Sequence, residues 1–133
     1  MTSDEARSLF AAARVARLAT AGPHVVPICF AVDGDVVWTA VDDVKPKRSR
    51  SLRRLDNVQA DPRVSLVADH YEDEDWSRLW WARADGVAEV IEDAPDARAL
   101  LCERYRQYLE SPPPGPFLRV SVERWSGWAG SSP

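Results

Sequence analysis

Residues 45–54, KPKRSRSLRR, place six positive charges in ten positions with no acid among them. The whole chain of 133 residues carries a formal charge of −4, so outside this stretch 11 basic residues face 21 acidic ones. A basic cluster inside an acidic protein suits a small polyanion, because the field of the remainder repels a nucleic-acid backbone. The cluster also precedes a helical pattern. Lys45, Lys47 and Arg50 stand at its entrance, where free backbone N–H groups and the helix macrodipole favour an anion as well. Plain solvated surface is the competing reading of such a run. A nucleic-acid patch is disfavoured, since no aromatic residue interleaves with the charges.

Other chemistry is poorly supported. His24, Cys29, His70 and Cys102 match no zinc spacing, and neither C-x-x-C nor H-E-x-x-H occurs, so no metal site is expected. There is no G-x-S-x-G elbow and no glycine-rich nucleotide loop. The two cysteines lie in apolar segments and read as packed thiols. Trp38, Trp76, Trp80, Trp81, Trp125 and Trp128 fill a core or an interface, or wall a planar ring. Trp80 and Trp81 point to opposite faces of any strand that holds them.

The elements that must position these groups follow from pattern and punctuation. Residues 4–13 fit a short amphipathic helix with Leu9, Phe10 and Ala13 on one side. Strands are expected over 15–20, 24–32 and 36–41, with Asp33-Gly34 as the hairpin signal between the last two. Pro27 moves its strand to a sheet edge or a bulge. A helix follows from about Ser49, presenting Leu52, Leu55 and Val58 on one face and Arg50, Arg53, Arg54 and Asn57 on the other. It stops at Asp61-Pro62. Residues 63–71 and 79–92 read as strands, with Gly86 marking a bulge or a sharp bend. Residues 72–77 form an acidic, solvated loop. A third helix spans 94–109, opened by Pro95 and stopped before the prolines of 111–116, and the last strand covers 117–128. Consecutive strands on tight turns exclude a doubly wound parallel sheet. The expectation is α+β: a small antiparallel barrel with about three peripheral helices, formed by residues 1–133 as a single domain. No apolar run approaches the roughly 18–20 residues of a membrane span. The N-terminal stretch lacks a signal-peptide pattern, so a cytoplasmic protein is expected.

The order of these motifs resembles the pyridoxamine 5′-phosphate oxidase-like superfamily of split β-barrels. The resemblance rests on a strand ending in Thr39, the basic loop 45–54, ADPRVSLV (60–67) and LWWARADGVAEV (79–90). PHVVPICF (23–30), KPKR (45–48) and DHYEDEDW (69–76) look most like the branch that uses the deazaflavin coenzyme F420. The resemblance covers about Val15 to Arg124. It implies an FMN-binding split barrel that forms a homodimer with its sites at the subunit interface. It also implies, residue by residue, cofactor contacts from Lys47 and Arg50 with Lys45 and Arg53 in support, from Arg83 and Trp81, and from Pro27 and Thr39 along the ring edge.

The function so implied is hydride transfer from reduced coenzyme F420 to an unsaturated, electron-poor small molecule, with no catalytic side chain assigned. An FMN-dependent enzyme of the same fold is the alternative, and a non-catalytic F420 or tetrapyrrole carrier is another. The C-terminal WSGWAGSSP replaces the substrate-holding Arg/His segment of true pyridoxamine phosphate oxidases, which argues against vitamin B6 oxidation. Neither nucleic acid nor membrane is expected as a partner.

Overall fold

Alternation of apolar and polar residues, cut by turn residues, produces one curled sheet. The computed structural model describes residues 1–41 and 49–131, with the backbone alone for 49–52. Among the described residues the strands are β1 (Ala16–Thr20), β2 (His24–Ile28), β3 (Ala31–Asp33), β4 (Val36–Ala40), β5 (Arg63–His70), β6 (Trp80–Ile91) and β7 (Phe117–Ala129). The helices are α1 (Ser3–Ala12), α2 (Ser49–Ala60), α3 (Pro95–Arg104) and α4 (Arg106–Glu110). The seven strands pair antiparallel throughout, in the order β2-β1-β5-β6-β7-β4-β3. The architecture is thus the α+β split barrel expected. No described helix is long and apolar enough to cross a membrane.

The expected strand over 24–32 is two strands, and the break makes the barrel. β2 and β3 are the two edges of the sheet yet are consecutive in the chain. Residues 29 and 30 therefore turn a corner from one edge to the other. A corner leaves backbone groups without ladder partners, and buried groups of that kind must be satisfied elsewhere. Two distant side chains do so. Thr39 Oγ1 donates to the Cys29 carbonyl at 2.7 Å. The Tyr105 hydroxyl accepts from Phe30 N–H at 3.0 Å and lies 3.0 Å from the carbonyl oxygens of both Phe30 and Arg14, which share its single proton.

The same tyrosine explains a second departure. The expected helix over 94–109 is interrupted at Tyr105, whose backbone is extended at φ −123° and ψ 122°. Reaching the corner requires this kink, so α3 and α4 are separate. Arg104 donates to the Ala13 carbonyl, and Arg14 Nη2 donates to the Arg104 carbonyl at 2.6 Å. The end of α3 is thereby tied to the end of α1.

Pro27 sits on the edge strand β2, where its missing N–H costs no ladder bond. Gly34 adopts φ 61° in the two-residue turn between β3 and β4, a conformation glycine accepts without strain. Gly86 marks the register shift between β6 and β7. A Cβ there would lie 2.1 Å from the Ser121 carbonyl oxygen, so the two backbones approach this closely only because the residue is glycine.

The barrel interior is filled by Leu18, Phe30, Val37, Leu66, Leu118 and Val120 together with Ala6 and Phe10 of α1 and Leu55 and Val58 of α2. Phe10 packs against Phe30 and Trp125 with ring centroids 4.9 and 5.5 Å apart. Fully burying each such side chain contributes about 1.5–3 kcal/mol. A second cluster joins Leu101, Tyr105 and Tyr108 to Phe117, Ala31 and Ala40 on the β3–β4 side. Trp125 also caps a polar network. Its Nε1 donates to Asp35 Oδ1 at 2.9 Å, and Arg7 Nη1 reaches the same oxygen at 3.1 Å. These two donors hold the Asp35 carboxyl below the usual carboxylate range. Neither Cys29 nor Cys102 is in a disulfide among the described residues.

Candidate functional site

Residues directly opposite in an antiparallel ladder share a face, so the register assembles the outer surface of the barrel row by row. Pro27, Arg17, Val67, Arg83 and Ser126 form one row across β2, β1, β5, β6 and β7. The row beyond it is Asp69, Trp81 and Trp128. The row before it contains Val25, Ala19, Ser65, Asp85 and Arg124. Inner positions of the same strands, such as Leu18, Leu66, Ala82 and Ala84, are buried.

Arg83 is held from two sides on this face. Its Nε donates to Asp85 Oδ2 at 3.0 Å, and Ser65 Oγ donates to Asp85 Oδ1 at 2.5 Å. The guanidinium carbon lies 5.8 Å from the Trp81 ring centroid, within cation–π range. Its two terminal nitrogens make no hydrogen bond among the described residues. A guanidinium anchored by Nε and by its face keeps a two-pronged donor for a ligand oxygen. Trp81 is 37% exposed and presents a ring face beside that donor. Arg17 and Asp69 pair on the same face at 3.1 Å.

The end of this face opens into a cavity of about 130 Å³ between β5, β6 and β7, lined by Asp69, His70, Tyr71, Trp80, Trp81 and Trp128. His70 stacks on Trp80, which turns toward the core while Trp81 turns outward. A wider open cleft of about 600 Å³ lies around the other side of Trp128, against Thr2 and Glu5. It is not an anion site built on α1, because Thr2 and Glu5 already form a capping box there.

The structure brings some of the sequence-derived residues together and separates others. Trp81, Arg83 and Pro27 share the outer face, with Pro27 in the row of Arg83. Thr39 is 2% exposed and core-facing, in the row Thr39, Leu118, Val90. It stands nine residues along β6 from Trp81, about 30 Å of strand. Arg53 is exposed on α2, whose Leu55 and Val58 are buried as the helical spacing requires. Lys45 and Lys47, and the side chain of Arg50, lie outside the described residues. Sequence reasoning missed Ser65, Asp85 and Trp128 as neighbours of Arg83 and Trp81. Only strand register, including the shift at Gly86, makes them adjacent.

The sequence profile of the pyridoxamine 5′-phosphate oxidase family matches residues 2–129. The chain belongs to that family. Solved structures of similar fold include a conserved hypothetical protein from Mycobacterium tuberculosis, with a TM-score of 0.73 and 21% identity over 98% of this chain and 86% of that one. An FAD-binding protein from Mesorhizobium loti aligns with a TM-score of 0.71 and 23% identity, covering 96% of this chain and 94% of the other. A heme-binding protein from Mycobacterium smegmatis aligns with a TM-score of 0.68 and 20% identity, over 96% of this chain and 57% of the other. No curated protein matches the chain significantly. At these identities the likeness to the structures is one of fold, and the family membership rests on the profile.

Proposed function

We propose that this member of the pyridoxamine 5′-phosphate oxidase family is an oxidoreductase that binds a flavin-type cofactor, with the deazaflavin coenzyme F420 ahead of FMN and FAD, and passes a hydride to an electron-poor small molecule. The observation that carries the reading is Arg83, fixed by Asp85 and the Trp81 face with its terminal nitrogens uncommitted. A planar ring laid on Trp81 meets donors suited to the carbonyl edge of a flavin or deazaflavin. When bound, the cofactor supplies the hydride chemistry, and the chain supplies position and electrostatics. The six charges of residues 45–54 exceed what one phosphate requires and suit the phosphodiester and polyglutamate tail of F420. The fold neighbour that binds FAD supports a flavin instead, and the one that binds heme supports the carrier alternative.

Geometry also favours a homodimer. Exposed Val25, Trp81 and Trp128 give the outer face apolar surface to cover.

Fluorescence titration of the purified protein with F420, FMN and FAD tests the reading. F420 is expected to bind about tenfold or more tightly than either flavin. Neutral replacements at Lys47 and Arg50 should weaken binding and flatten its salt dependence. Tighter binding of FMN or FAD would overturn the deazaflavin assignment, and no binding of any of the three would overturn the cofactor reading itself.

A further inference from the structure

Trp81 and Trp128 are direct cross-strand partners at the end of β6 and β7. Neighbours so placed ordinarily pack ring against ring, yet these two make no ring–ring contact. They are splayed around the 130 Å³ cavity, 37% and 49% exposed, with Tyr71 and His70 completing its wall. That volume suits one six-membered ring, since an apolar cavity of about 150 Å³ accepts benzene.

The loop joining two of its lining residues, Tyr71 and Leu79, is acidic, with Glu72, Asp73, Glu74 and Asp75 against Arg78. Arg17 pairs with Asp69, Arg78 with Glu72 and Arg83 with Asp85, at 3.1, 3.0 and 3.0 Å. Asp73, Glu74 and Asp75 remain without an ion pair among the described residues, and the Tyr71 hydroxyl donates to Asp73 at 2.9 Å, joining the wall to this acidic loop. Three net negative charges beside electron-rich indole faces attract a cation or an electron-poor ring.

We propose that this slot is the substrate subsite and that it takes a single planar, electron-poor ring carrying positive charge. The inference rests on the redox reading above and names its substrate class. A cationic ring that accepts a hydride gains one proton and two electrons and becomes neutral. The reduced cofactor supplies all three, so no separate proton donor is required. The acidic loop also steers the anionic tail of a cofactor away from this end.

Nicotinate, nicotinamide and the N-methylnicotinamide cation share one ring and differ in charge, and their binding to the full chain without cofactor is measured by calorimetry and ligand-observed NMR. The cation is expected to bind about tenfold or more tightly than the neutral amide, with nicotinate weakest and the spread shrinking as salt rises. Trp128→Ala should weaken the cation about tenfold. Asp73→Asn combined with Glu74→Gln, both on the exposed loop, should narrow the gap between cation and amide and leave the amide unchanged. Equal binding of the three rings, or a full gap in the doubly neutralised variant, overturns the inference. The F420, FMN and FAD titration on the same samples separates the outcomes. Cofactor binding with a flat ring series refutes the subsite alone, and charge-ordered ring binding without cofactor binding refutes the redox reading alone.

Discussion

Tyr105→Phe removes one oxygen from a buried corner and leaves the ring that fills the second cluster. The hydroxyl is the partner of Phe30 N–H at 3.0 Å and lies as close to two carbonyl oxygens. Phe30 is fully buried and Tyr105 is 9% exposed, so water does not readily replace the lost oxygen. An orphaned buried donor costs about 1–3 kcal/mol, and a lost ordinary hydrogen bond adds about 0.5–1.5. The Arg14 carbonyl belongs to an exposed residue and is rehydrated at little cost. The expected destabilisation is therefore about 2–3 kcal/mol, a large share of the roughly 5–15 kcal/mol available to a domain. In melting temperature this corresponds to a fall of roughly 6–15 °C. The assay is urea unfolding followed by tryptophan fluorescence, with Tyr71→Phe as control. The control loses only an exposed bond to Asp73 and should change stability by less than about 0.5 kcal/mol. If Tyr105→Phe behaves like that control, the corner is not held by the hydroxyl and the reasoning fails.

Two further perturbations probe the frame and its electrostatics. Gly86→Ala places a Cβ 2.1 Å from a backbone carbonyl that cannot swing aside. It should cost more than about 3 kcal/mol or abolish soluble expression, and a fully stable variant would show that β6 and β7 separate freely at the bulge. Asp61 accepts from the Arg63 guanidinium and backbone N–H, which lowers its pKa to about 2. Because the folded value lies below the unfolded value of about 3.9, its contribution to stability is complete at neutral pH. That contribution fades as pH falls through the interval between them. Carboxyl NMR should find Asp61 titrating near the lower value and returning toward the ordinary range in Arg63→Gln. An ordinary pKa in the parent chain would contradict the pairing.

How far the chain is readable without its structure depends on the range of the interaction concerned. The helix 4–13, the Asp33-Gly34 hairpin and the helical pattern of α2 all arise from contacts between residues near in sequence. Periodicity and turn chemistry therefore reveal them. The basic run and the family resemblance are of the same kind, since both are properties of residue order. The break at residues 29 and 30 and the interruption of the third helix are not. Both depend on Tyr105 meeting Phe30 across 75 residues, and a helical pattern continues through 94–109 with nothing local to stop it.

The site divides along the same line. The family resemblance singles out Trp81 and Arg83, and alternation alone puts them on one face. Only the register shows that Asp85 and Ser65 hold Arg83, that Trp128 opens a slot beside Trp81, and that Thr39 turns inward to bond the Cys29 carbonyl. A one-residue change of register moves every side chain of a strand to the other face. The sequence alone thus determines most of the elements, the acidic and basic segments and the family. The pairing of distant strands decides which of those groups meet, because the hydrogen bonds that set it join residues far apart in the chain.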